Sequence, residues 1–194
     1  VLYLKDLPRA SKRMTGMAVS IDGRPAIILG FNNTQHPRQL FVLAHELGHI
    51  VSGHLDEGGV LIDEDLAEVT DTLIETNNKR KDAEEREADS FALALIRNGY
   101  TAPLASMGRL SSATAIAAKA AVLGREMGID PGHLILSYAK QHNDWARANQ
   151  ALEYSPPQPS AIEVVGRYFR EGVSLEALSS ENQEYLLSIQ GFGE

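Results

Sequence analysis

His45-Glu46-Leu47-Gly48-His49 is the stretch of this sequence whose residue types and spacing carry the clearest chemistry. Residues four apart on a helix project about 40° apart, so the two imidazoles can share one metal ion. Glu46 lies about 100° round from His45. That position puts its carboxylate beside the ion, where it can take a proton from an activated water. Phe41, Val42, Leu43, Ala44, Leu47, Ile50 and Val51 make the segment apolar almost all round, the pattern of a buried helix. Two imidazoles and a carboxylate are costly there unless bonded, and a metal with a partly open face satisfies all three. The alternative is a set of polar core residues satisfied by the protein alone. Gly48 falls on the metal-facing side, where the missing side chain keeps the approach open.

A catalytic zinc usually has a third protein ligand. An extended H-E-x-x-H-x-x-G-x-x-H motif needs Gly at 52 and His at 55, but the chain has Ser52 and Leu55. His54 is displaced by one residue; on a continuing helix it would point about 180° away from His45, as a surface histidine. A later segment, "EEREADSFALALI", is a better source. Its apolar stripe is Ala88, Phe91, Ala92, Leu95 and Ile96, and a helical projection puts Glu85 and Asp89 on that stripe, with Glu87 on the far side and Glu84 toward an edge. Inward carboxylates need partners. The economical assignment makes Glu85 the third ligand and Asp89 the acceptor for the second ring nitrogen of a ligand histidine. In the competing reading Asp82 caps the helix, Glu85 is its capping-box partner and Asp89 is half exposed.

The elements that must hold these residues are legible in outline. Met17 to Ile21 and Ala26 to Leu29 are β-prone runs on either side of Asp22-Gly23, a hairpin signal, with Pro25 confined to a strand start or an edge. Pro37 suits the first turn of a helix running to about Ser52 and stopped by Gly53. Ile62, Leu66, Val69 and Leu73 recur at helical spacing and suggest a short amphipathic helix. The Glu85 helix spans about Asp82 to Asn98. Further helices are expected over the Ala-rich stretch ending at Gly128, over the stretch from Pro131 to Tyr154, and over 162–169 and 175–187, with "SPPQP" at 155–159 as a linker. The expected fold is α+β: a small N-terminal antiparallel sheet packed on the H-E-x-x-H helix and a second ligand helix, then a mainly helical part. The expected divisions are 1–105 for the core, 106–154 for helices packed on it, and 155–194 for a short extension.

Composition narrows the function classes. The chain has 194 residues, 43% of them hydrophobic, enough for one well-buried domain. With no cysteine there is no disulfide framework and no thiolate metal site. No apolar run approaches the roughly 18 residues of a membrane span, so the expected location is cytoplasmic and a membrane role is not expected. The start at Val1 rather than Met leaves room for a preceding piece. Asp56–Thr76 carries eight of the 26 acidic residues and no Lys or Arg, so it accounts for the whole net charge of −8. Such a chain is a poor non-specific ligand for nucleic acid and is compatible with a basic protein partner. A helix-turn-helix reading of "SSATAIAAKAAVLGREMGIDPGHLILSYAKQ" is weakened by its sparse basic residues, Lys119, Arg125 and Lys140.

"FVLAHELGH" followed by "EREADSFALALI" resembles the ImmA/IrrE family of metallopeptidases, and the resemblance extends over about residues 15–145. It implies a thermolysin-like zinc endopeptidase that cuts a helix-turn-helix repressor or an antitoxin, switching on a stress or mobile-element response. His45, His49 and Glu85 would be the zinc ligands and Glu46 the general base. Manganese or iron would also suit such a donor set. Tyr100, His133 and His142 are candidates for steadying the oxyanion. The 35 residues between His49 and Glu85 exceed the family's usual spacing and mark the acidic stretch as an insertion. Lying between the ligand helices, that stretch would attract a basic substrate, or else be a solvated face. A peptidase fold that only binds a regulator is the competing class of function.

Overall fold

The computed structural model describes residues 1–5, 14–30, 35–56, 58–64, 79–100 and 107–192. Its architecture is α+β, a four-stranded sheet and seven helices among the described residues. The sheet order is β1-β3-β2-β4, with β1 at Leu2–Tyr3, β2 at Met14–Ile21, β3 at Arg24–Leu29 and β4 at Val60–Glu64. β2 and β3 form an antiparallel hairpin in register Ala18↔Ile27. Asp22 and Gly23 both have positive φ, 51° and 71°, which matches the twist of the flanking strands. Pro25 is the second residue of β3, before β1 begins to pair at Ile28.

Two strands depart from the sequence reading. β1 pairs parallel with β3, so the sheet is mixed rather than antiparallel. Ile62, expected on a helix, lies in β4, antiparallel to β2. The run Val60-Leu61-Ile62 follows a turn at Gly58 (φ 74°) and finds an open sheet edge to pair with. That long-range pairing overrides a helical period which this short segment shares by coincidence. Leu66, Val69 and Leu73, and most of the acidic stretch, lie outside the described residues.

Helix α1, His36–Val51, is the centre of the molecule. Pro37 sits in its first turn. Val42, Leu43, Leu47 and Ile50 face the sheet, packing with Tyr3, Ile27 and Leu29. Phe41 and Ala44 face the opposite way, onto Ala92 and Ile96 of α2 (Lys79–Ile96) and Leu136 of α4 (Pro131–His142). Burial from both sides explains why α1 is apolar almost all round.

Helices α3 (Ala113–Met127), α4 and α5 (Trp145–Glu153) share a second core around Ile116, Leu123, Leu134, Ile135 and Tyr138. Alanines 120, 139, 148 and 151 let these helices approach closely. Their ends carry the expected signals: Ser112 caps α3 at Ala115 N, Gly128 ends it in the left-handed region, and Asp130 caps α4 at His133 N. After "SPPQP", α6 (Ala161–Gly172) begins with a Ser160/Glu163 capping box and returns to the first core, where Val165 and Ile162 join Tyr3 and Val42. The last helix, α7, covers Ser180–Ile189 and starts later than the sequence suggests, because Ser179 supplies its cap and Leu175–Ala177 form a 3-10 turn. The Lys5 amide donates to Ile189 O at 3.0 Å, which ties the end of the chain back to the region beside β1.

His133 gives this helical half a pH dependence. It is buried at the start of α4, where Arg97 Nε donates to its Nε2 at 3.1 Å. Burial lowers its pKa first and the Arg97 charge lowers it further, to about 3. The folded protein therefore holds the imidazole neutral, while the unfolded chain protonates it near an ordinary value of about 6.5. This contribution to stability is complete above about pH 6.5 and is lost as pH falls toward 3, at up to about 1.4 kcal/mol per pH unit. Urea denaturation at pH 7 and pH 4.5 should show the loss, and His133→Asn should show a shallower one.

Candidate metal centre

Polar groups of α1 and α2 meet where the two helices approach most closely. A Cβ on Gly48 would stand 2.9 Å from both Cα and O of Ala88. Gly48 therefore serves the helix contact, not an open approach to a metal as its place on the wheel suggests. The contact brings the turn of α2 carrying Glu85 and Asp89 against the turn of α1 carrying His45 and His49. α2 starts at Lys79, so Asp82 is inside the helix and does not cap it.

His45 and His49 are buried, 1% and 0% exposed. Their Nε2 atoms lie 3.0 Å apart, and Glu85 Oε2 is 3.3 Å from the first and 3.7 Å from the second. Asp89 Oδ1 is 2.8 Å from His45 Nδ1. An ionised carboxylate only accepts, so the His45 proton belongs on Nδ1 and its Nε2 turns a lone pair toward Glu85 and His49. Burial alone would raise the Glu85 pKa, but hydrogen bonds and charge interactions with His45 and His49 prevail and hold it at about 2. Those hydrogen bonds need a proton on a facing Nε2; an ion that displaces it meets an anionic oxygen and imidazole lone pairs converging on one point. Donors about 2.1 Å from a shared ion at tetrahedral angles stand about 3.4 Å apart, close to the separations found here. His45, His49 and Glu85 can hold a metal ion.

Glu46 projects from the same helix turn toward the sheet and is wholly buried. A Cβ on Gly16 of β2 would overlap Glu46 Oε1 and stand 2.8 Å from its Cδ. Gly16 adjoins the irregularity where β2 slips register against β4 between Met14 and Gly16. Bulges of this kind often re-aim backbone beside active sites. Gly16→Ala should push the carboxylate out of place. Hydrolysis should fall about 10-fold or more while the bound metal is unchanged, as metal analysis beside a cleavage assay would show.

Residues 9–99, which carry all of these groups, match the Peptidase_M78 family, described as the IrrE N-terminal-like domain. The chain carries an IrrE N-terminal-like domain. No curated protein and no solved structure gives a match. The matched span contains β2, β3, β4, α1 and α2, with β1 outside it, and it includes the His-His-Glu group that could hold a metal ion, as a metallopeptidase-family domain requires.

One histidine of the IrrE-like domain is placed quite differently from the sequence reading. His54 is not a free surface residue: its side chain is 7% exposed, and its Nδ1 lies 3.0 Å from His49 Nδ1. The helix does not continue to it. Gly53 takes a left-handed turn at φ 72°, its amide donates to Ile50 O at 3.2 Å, and the His54 amide donates to His49 O at 3.0 Å. This is a Schellman C-terminus, which folds the second residue past the cap back over the last turn. The signal was present in the sequence as Gly53 followed directly by His54.

The three oxyanion candidates lie elsewhere. Tyr100 follows the end of α2 and is 46% exposed, His133 bonds to Arg97 and Ser137, and His142 packs against Tyr138 with ring centroids 4.4 Å apart and planes tilted by 50°. Among the described residues none of the three bonds to His45, His49 or Glu85.

Proposed function

We propose that the chain is a zinc-dependent endopeptidase acting on a basic helix-turn-helix repressor or an antitoxin, and that this cleavage triggers a stress or mobile-element response. The convergence of His45, His49 and Glu85, with Glu46 on the same helix, carries the reading. When bound, the metal supplies Lewis acidity toward a water and a peptide carbonyl. His45, His49 and Glu85 hold it, and Asp89 orients His45. Glu46 takes the proton of the attacking water and passes it to the leaving amine. Burial of Glu46 under Gly16 keeps that proton from bulk solvent.

The substrate class rests on the resemblance of "FVLAHELGH" and "EREADSFALALI" to the repressor-cutting ImmA/IrrE peptidases, and on the acidic balance of the chain. A cytoplasmic site of action follows from that substrate class, and no described helix is long and apolar enough to cross a membrane. A protein target is favoured over DNA by α4, the helix that would have to enter a major groove. Its residues 134, 135, 136, 138 and 139 have no exposed surface. Incubation of the zinc-loaded protein with helix-turn-helix repressors of the same cell should cut at least one into discrete fragments, and a chelator should abolish them. Repressors that all stay intact under those conditions would contradict the assignment.

A further inference from the structure

His49 donates through one nitrogen and ligates through the other, so the partner of its Nδ1 matters as much as the metal. That partner is His54, at 3.0 Å. On its far side His54 Nε2 meets Glu87 Oε2 at 3.3 Å. An ionised carboxylate only accepts, so the proton of a neutral His54 belongs on Nε2. Its Nδ1 is then a bare acceptor aimed at His49, whose own proton must sit on Nδ1 and leave Nε2 free. Asp89 does the same for His45 directly.

We infer that His54 is a positioning residue for the metal centre, which with Glu87 holds the His49 ring in its ligating tautomer and orientation. The inference rests on the reading that His45, His49 and Glu85 bind the metal. The local fold argues that the pair is more than packing. In a Schellman terminus the residue occupying the place of His54 commonly makes an apolar contact with the residue occupying the place of His49. Here two imidazoles fill both places, with centroids 5.2 Å apart and planes at 66°. An aliphatic side chain would cover His49 without needing a proton acceptor. The relay runs outward from a buried ligand, through the 7% exposed His54, to a Glu87 that is 64% exposed.

Chelator competition on the full chain, His54→Ala and His54→Asn tests this, together with 15N NMR of the zinc-loaded protein. Zinc should bind about 10- to 100-fold more weakly to His54→Ala. It should bind within about threefold of the parent to His54→Asn, whose Oδ1 replaces the Nδ1 acceptor. The NMR spectra should show a coupling across the hydrogen bond between His49 Nδ1 and His54 Nδ1. Parent-like affinity in His54→Ala, equal losses in both variants, or no such coupling would overturn the inference while leaving the metal site standing. A parent protein that binds no zinc would overturn both.

Discussion

Glu46→Gln should bind zinc as the parent does and hydrolyse its substrate about 100- to 10,000-fold more slowly. The substitution keeps size and shape in a site where Glu46 is wholly buried beside Gly16, and it leaves His45, His49 and Glu85 intact. What it removes is the capacity to accept a proton from water. The loss should fall on kcat, because the proposed role of Glu46 is on the proton in flight and not on the resting substrate. Metal analysis and cleavage kinetics on the same preparation separate the two properties. A variant retaining a tenth of the parent rate would take Glu46 out of proton transfer. A variant that cuts nothing yet still relieves repression in cells would show that binding alone carries the function.

Gly48→Leu should be the most damaging substitution outside the chemical groups. A Cβ at 48 meets backbone of Ala88 at 2.9 Å, and backbone in the middle of α2 cannot rotate away as a side-chain tip can. Ala88 itself has no exposed surface to retreat into. The helices must separate, costing about 3 kcal/mol or more of stability. Separation also draws Glu85 and Asp89 away from the histidines, so zinc affinity should fall with stability. Gly48→Ala should lose less, since its better helix propensity returns about 1 kcal/mol. Denaturant titration with and without zinc measures both effects, and a leucine variant as stable as the parent would contradict the packing account.

The contrast between Gly48 and Glu85 shows how far the sequence carries this site. The facing of His45, His49, Glu85 and Asp89 follows from period within one helix, and period is local, so a projection reaches it. Which partner fills the space beside Gly48 depends on how α1 meets α2, and a wheel drawn for one helix contains no such information. His54 fails for another reason. Its direction is set by one left-handed residue, Gly53, and extending the helix through that residue reverses the answer. Gly16 was invisible because its role exists only where the bulge of β2 crosses Glu46. The strands β1 and β4 were missed similarly: two and five residues long, they are defined by pairing with β3 and β2 more than by their own pattern. The hairpin and the caps of α3 and α4, whose signals are carried by adjacent residues, were legible.

In the proposed function His45, His49 and Glu85 hold one catalytic metal ion. Elemental analysis of the dialysed protein tests it most directly, with the parent measured beside a His45→Ala/His49→Ala variant that retains its helical circular dichroism. The parent should carry one divalent ion per chain and the variant none. A parent without metal, or a variant that keeps a full equivalent, would contradict it.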